Sequence, residues 1–318
     1  FKRAFFLKWN CSSLEVESYY NSAVNVFNVP CAANFCEIMT KFFLHRFFEL
    51  VLQGTPNLPC ASQTSIKLMQ LIKKIAPTDA TVLISGPTGT GKEVLSNLVH
   101  NYSNRQQSPF VALNCAAIPE QMLESILFGH EKGAFTGALQ ANQGLVRAAS
   151  GGTLLLDEIS EMPVTLQSKL LRVIQEKKVM PIGSAEEIDV DVRIIATTNR
   201  NMADEVKKGC FREDLFYRLN VFPINNESLE GRIEDVIPIV AHFISKPFFQ
   251  KQENYLISED ALLALMKHTW PGNVRELDNL IQRALILCDD KRILLDDLIF
   301  DGDGSTSGPN TAEVLASK

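Results

Sequence analysis

Gly86-Pro87-Thr88-Gly89-Thr90-Gly91-Lys92 follows a short apolar run at residues 81–85 and precedes a helical pattern that opens near Glu93. Three glycines let the backbone turn tightly, so that amide N–H groups and a helix N-terminus converge on one anion. Lys92 adds a point charge suited to the β- and γ-phosphates of a nucleotide. Phosphate loops generally continue with Ser or Thr, whose hydroxyl serves Mg²⁺. Here Glu93 holds that position, and a carboxylate can serve the metal directly or through water. The alternative is a structural glycine-rich turn, which the strand, the spacing and the lysine together disfavour.

Four further apolar runs, at residues 110–114, 153–156, 193–197 and 221–224, alternate with helical periodicity. This pattern predicts an α/β fold, a parallel five-stranded sheet with helices on both faces. Leu166, Leu170, Val173 and Ile174 form one stripe of an amphipathic helix between the third and fourth runs. Beyond residue 224 strands are expected to stop. Three helices follow at 233–249, 258–268 and 274–287, the second opened by Ser258 with acids at 259 and 260. The expected organisation is an N-terminal segment of unknown role (1–55), a nucleotide-binding core (56–225), a small helical lid (226–300) and a frayed tail (301–318).

The third run ends in Asp157-Glu158, two carboxylates at the edge of the sheet where open α/β folds bind ligands. Asp157 suits Mg²⁺, and Glu158 suits orienting and activating an attacking water. Phosphoryl transfer also calls for cations at the γ-phosphate, and Arg212 and Arg218 stand just before the fifth run. Two surface arginines paired with Glu213 and Asp214 are the plainer alternative. Thr198-Asn199 close the fourth run, where Asn199 can serve as a turn residue, and Asn114 ends the second run. Arg275 falls in the first turn of a helix whose entry is fixed by Pro271 and Gly272. Gly133-Ala134-Phe135-Thr136-Gly137-Ala138 offers little side chain to anchor it, so Phe135 is expected to ride on a movable loop rather than pack into the core.

A net charge of −6 argues against a chain built mainly to coat nucleic acid, so any DNA contact is expected to be local or indirect. The seven cysteines form no Cys-x-x-Cys pair and read as free thiols of a reducing cytoplasm. No apolar stretch suits a membrane span, because His45, Arg46 and Glu49 break the Phe-rich run at 42–52. That run reads as an amphipathic packing helix over 38–52. Residues 1–55 otherwise show no clear rhythm of turns and strands.

The hexapeptide at 133–138, its approach Ser125-Ile126-Leu127-Phe128-Gly129-His130-Glu131, the Gly-Lys-Glu ending of the phosphate loop and Trp270-Pro271-Gly272-Asn273-Val274-Arg275-Glu276-Leu277 together resemble the AAA+ activators of sigma-54 RNA polymerase, the NtrC-like enhancer-binding proteins. The resemblance covers about residues 52–300. It implies an AAA+ P-loop ATPase using ATP and Mg²⁺, in a hexameric or heptameric ring whose Phe135 and Thr136 push on the sigma factor. It also implies arginine fingers at Arg212 and Arg218, a γ-phosphate sensor at Asn199, a second sensor at Arg275 leaning over the nucleotide, and an Asn114 that restrains the catalytic Glu158. Promoter DNA is then served indirectly, since no DNA-binding module or receiver domain is recognised in the chain. Two departures stand out. Pro87 replaces the family's Glu, and Asn226-Glu227-Ser228-Leu229-Glu230-Gly231-Arg232 replaces a link resembling Leu-Pro-Pro-Leu-Arg-Glu-Arg, with an acid at 230 where a cation is usual. They motivate a competing reading, a nucleotide-binding scaffold without turnover, while a third reading, an AAA+ remodeller of another protein or nucleic acid, is opposed mainly by the hexapeptide.

Overall fold

The computed structural model describes residues 4–11, 15–19, 24–30, 37–51, 58–245 and 255–300. The proposed tail at 301–318 lies outside them. The described residues divide into two compact units, one formed by residues 63–231 with residue 58, the other by the remainder.

In the second unit, strands β1 (Ala4–Cys11), β2 (Glu15–Tyr19) and β3 (Val24–Pro30) form a sheet of order β1-β3-β2, with β1 parallel and β2 antiparallel to β3. This corrects the expectation of no strand rhythm there. The alternation in Val24-Asn25-Val26 is real, but no glycine punctuates the segment. The expected packing helix is α1 (Glu37–Val51), with Phe42 and Phe43 buried.

The first unit opens with α2 (Gln63–Ile75), β4 (Val82–Ser85), α3 (Lys92–Asn101), β5 (Phe110–Asn114), α4 (Glu120–Phe128), α5 (Gly144–Ala148) and β6 (Thr153–Asp157). It continues with α6 (Val164–Glu176), a small hairpin of β7 (Lys178–Val179) and β8 (Ile188–Asp189), then β9 (Arg193–Thr198), α7 (Met202–Lys207), α8 (Glu213–Leu219) and β10 (Phe222–Asn225). The five expected strands form one sheet of order β10-β4-β9-β6-β5, parallel throughout. Leu154, Leu155 and Leu156 are all buried, as a strand covered on both faces requires. Each such side chain is worth roughly 1.5–3 kcal/mol on burial. On α6, Leu166, Leu170 and Val173 face the core and Ile174 packs beside it.

A buried arginine joins the sheet to α2. Arg193 donates from Nη1 to the Ala76 carbonyl at 2.6 Å and from Nη2 to the Ile75 carbonyl at 3.3 Å. Its cation thus sits at the negative end of the helix dipole and satisfies carbonyls that the helix leaves open.

The helices after residue 231 belong to the second unit. α9 (Val236–Ser245) begins three residues later than expected, because the chain turns through a 3₁₀ segment at Glu230–Asp235, and residues 246–249 lie outside the described set. β11 (Leu256–Ile257) and β12 (Arg292–Ile293) form a two-residue parallel pair, so strands do not end entirely at residue 224. Between them run α10 (Glu259–Lys267), whose N-cap Ser258 accepts from the Ala261 amide at 3.3 Å, and α11 (Asn273–Leu287). Both α1 and α11 pack on α9. Among the described residues no helix is long and apolar enough to cross a membrane.

Candidate functional site

Parallel strands put their carboxyl ends on one edge, and the loop after β4 is flanked there by the ends of β9 and β10. Gly86, Gly89 and Gly91 all have positive φ. At Gly86 an added Cβ would stand 2.2 Å from the Asn226 carbonyl oxygen, so the close approach of two backbones demands glycine. Thr90 ties the loop internally through its hydroxyl to the Pro87 carbonyl at 2.9 Å. Thr88 receives the Asn199 amide at 3.3 Å, which brings the end of β9 onto the loop. Lys92 is buried, and its Nζ donates to the carbonyls of Gly86 (2.9 Å) and Pro87 (3.0 Å). Glu93 is exposed in the first turn of α3.

The acidic pair sits two strands away, at the end of β6. Asn114 donates from Nδ2 to Asp157 Oδ2 at 3.0 Å, and its Oδ1 accepts from the amides of Ala116 (2.8 Å) and Ala117 (3.2 Å). The resemblance placed this restraint on Glu158. The hydrogen bond of Asn114 goes instead to Asp157, because β5 and β6 pair the two residues in register. The other Asp157 oxygen, Oδ1, accepts from the hydroxyl of Thr197, which is fully buried in β9. The same hydroxyl accepts from the Glu158 amide at 3.2 Å. Glu158 itself is held at φ 54°, ψ 48°, a left-handed conformation costing about 1–3 kcal/mol that persists only where its surroundings impose it. Thr197 was not singled out from the sequence, where it reads as one more β-branched strand residue.

Arg212 and Arg218 bracket the exposed face of α8. Arg212 is bidentate to Asp214, at 3.0 Å and 2.7 Å, which matches the plainer alternative for this residue. Arg218 is exposed and makes no hydrogen bond or ion pair among the described residues. Buried Gln167 positions this arm. Its Oε1 accepts from the Arg212 amide at 2.8 Å, while Nε2 donates to the carbonyls of Met162 and Cys210. A glutamine three residues before Leu170 and seven before Ile174, inside the apolar stripe, is the sequence signal that could have revealed it.

The hexapeptide leaves the sheet between α4 and α5. Its base is pinned by the Glu131 amide to the Ile182 carbonyl and by the paired His130 and Asn142 backbones, each at 2.9 Å. Within it, Gly133 donates to Ala138 at 2.9 Å and Ala138 to Phe135 at 3.0 Å. Phe135 is 45% exposed, with its ring 4.9 Å from that of His130. It is therefore neither buried in the core nor free of the surface. His130 is oriented by the Ser125 hydroxyl at Nδ1 (2.9 Å) and the Gln140 carbonyl at Nε2 (3.1 Å).

In the other unit, Trp270 and Asn273 both take positive φ, and the Gly272 amide donates to Glu276 Oε2 at 2.7 Å. This entry starts α11 with Arg275 exposed in its first turn. Arg232, the one cation kept in the altered link, is buried 3.7 Å from Asp235, which also accepts from the Ala61 and Ser62 amides at 2.7 Å.

A sigma-54 interaction domain matches residues 58–225, and an AAA+ ATPase lid domain matches residues 230–313. The response regulator FleR of Pseudomonas aeruginosa is 53% identical over 224 residues, 70% of this chain and 47% of FleR. The regulatory protein GlrR of Escherichia coli is 45% identical over 253 residues, 79% of this chain and 56% of GlrR. The chain thus spans about half the length of these relatives. Among solved structures, NtrX of Brucella abortus in complex with ADP superposes with a TM-score of 0.72 at 32% identity, over 91% of this chain and 66% of NtrX. With this sheet, this phosphate loop and these matches, the chain belongs to the sigma-54-dependent transcriptional activators, carrying their AAA+ P-loop domain and lid.

Proposed function

We propose that the chain hydrolyses ATP with Mg²⁺ in a cytoplasmic homo-oligomeric ring of six or seven subunits, and uses residues 133–138 to remodel sigma-54 RNA polymerase at promoters. The observation that carries this reading is Phe135. An aromatic left half exposed on a glycine-flanked loop forfeits burial, which calls for a functional return.

The donor set fits the metal. Asp157 supplies a carboxylate oxygen at the sheet edge, Glu93 stands on the first turn of α3, and Mg²⁺ is commonly bound by one or two carboxylates plus phosphate oxygens. When bound, the ion would neutralise charge on the β- and γ-phosphates. The chain's own groups do the rest. Amides of residues 86–92 cradle the phosphates, and Lys92 exchanges two carbonyls for phosphate oxygens. Asn199 reads the γ-phosphate from the end of β9. Glu158, fixed by Thr197 and its strained backbone, orients the attacking water. Arg212 and Arg218 serve the neighbouring subunit, and Arg275 reports nucleotide to the lid. Promoter DNA is engaged through the polymerase.

Thr136→Ala tests the loop. It should leave ATP hydrolysis unchanged and abolish opening of a sigma-54 promoter. A variant that still opens promoters would show that the loop does not grip the sigma factor.

A further inference from the structure

Asn226 follows β10 directly, where the related link opens with Leu, and it is 1% exposed. Its side chain is half satisfied. Nδ2 donates to the Thr90 carbonyl at 3.0 Å, whereas Oδ1 is buried with no hydrogen-bond partner among the described residues. Its backbone completes the grip, since the amide donates to the Ser85 carbonyl at 2.7 Å and the carbonyl lies against Gly86. One residue therefore touches the strand before the phosphate loop, the loop's first glycine and its fifth residue. It also ends the arm that carries Arg212 and Arg218 through α8 and β10. A buried acceptor without a donor costs stability, and an apolar side chain of similar size would avoid that cost. The amide is explained by its bond to the loop.

We propose that Asn226 is a positioning residue that makes the phosphate loop and the arginine arm one mechanical element, so that phosphate binding in one subunit is transmitted to the arm it offers its neighbour. The proposal rests on the ATPase reading above for its purpose. Its test does not need turnover. Rearrangement of residues 86–92 around phosphate pulls on the Thr90 carbonyl, Asn226 carries the displacement to β10, and β10 shifts α8.

The experiment compares wild type, Asn226→Leu and Asn226→Asp. Asn226→Leu removes the unpaired Oδ1 but also the bond to the Thr90 carbonyl, so it should melt close to the wild-type midpoint, yet bind a fluorescent ADP analogue about threefold to tenfold more weakly. Asn226→Asp keeps the shape but removes the donor, and should lose both affinity and stability. Hydrogen exchange on protein verified as monomeric by light scattering then reads the coupling. A non-hydrolysable ATP analogue at saturation should change protection of residues 213–225 in wild type. In Asn226→Leu it should protect only residues 86–92. If Asn226→Leu melts lower and binds nucleotide like wild type, Asn226 is merely a core polar group. If residues 213–225 respond equally in both proteins, the coupling is wrong. Absence of hydrolysis in wild type would instead overturn the ATPase reading and leave these measurements intact.

Discussion

The Thr197 hydroxyl donates to Asp157 Oδ1, and the Asp157 carboxylate is thereby gripped from both sides, with Asn114 on its other oxygen. Because the same hydroxyl accepts the Glu158 amide, one buried atom sets the relation between Asp157, proposed to face the metal, and Glu158, proposed to face the water. Thr197→Val preserves shape while removing both bonds. Hydrolysis should fall about 100-fold, the scale associated with a misplaced catalytic group, with nucleotide affinity nearly unchanged. Thr197→Ser should restore the rate, and a valine variant with a wild-type rate would remove Thr197 from the site.

The two arm cations are not in equivalent states, and their variants should differ. Arg218 has nothing to release, so Arg218→Ala should cut the per-subunit ATPase rate about 10³-fold or more, as expected of an arginine finger. In the proposed finger role, Arg212 must first leave Asp214. Asp214→Asn should therefore sustain or raise the concentration-dependent rate, whereas Arg212→Ala lowers it. Equal losses in Asp214→Asn and Arg212→Ala would make the pair a structural clasp.

His100 should make folding acid-sensitive. Burial, and then the nearby Arg193 guanidinium, push its imidazole below the ordinary range, while its Nδ1 lies 3.0 Å from the Thr153 hydroxyl. The unfolded chain then takes up the proton more readily than the folded one. Stability is complete above the ordinary imidazole pKa of about 6.5, and is lost as pH falls below it toward the lower folded value. Melting midpoints from pH 7.5 to 5 should decline in wild type and flatten in His100→Gln. Parallel curves would assign the acid sensitivity elsewhere.

Thiol labelling should be ordered by burial. Cys115 lies beneath the acidic pair, and burial with the charges of Asp157 and Glu158 pushes its thiol up to about 12. Burial raises Cys60 to about 11. Of Cys60, Cys115, Cys210 and Cys288, iodoacetamide at pH 8 should modify exposed Cys210 first and spare Cys115 until the protein unfolds. Early loss of Cys115 to the reagent would mean that the β5–β6 edge opens readily.

Legibility followed chemistry that is local in sequence. Strands covered on both faces announce themselves as apolar runs, and a phosphate loop needs neighbouring residues of fixed type, so both were readable. Partnerships across the sheet were not. Whether Asn114 holds Asp157 or Glu158 depends on the register between β5 and β6, and Thr197 becomes a polar clamp only because β9 lies beside β6. Gln167 left a trace, a polar residue on an apolar stripe. The N-terminal strands went unseen although Ser12-Ser13 and Asn21-Ser22 stand between them in sequence, because neither pair contains the glycine that marks a tight hairpin turn.

Gly133 and Gly137 have φ of 81° and 102°, and a Cβ at either would meet nothing within 4 Å. Space is therefore not what excludes other residues there. The restriction is handedness, since left-handed backbone is unfavourable for L-amino acids and natural for their mirror images. A semisynthetic chain with D-alanine at these two positions would keep the shape of the hexapeptide while removing much of its freedom to rearrange. Rest shape and mobility, which ordinary mutagenesis changes together, become separable variables in this loop.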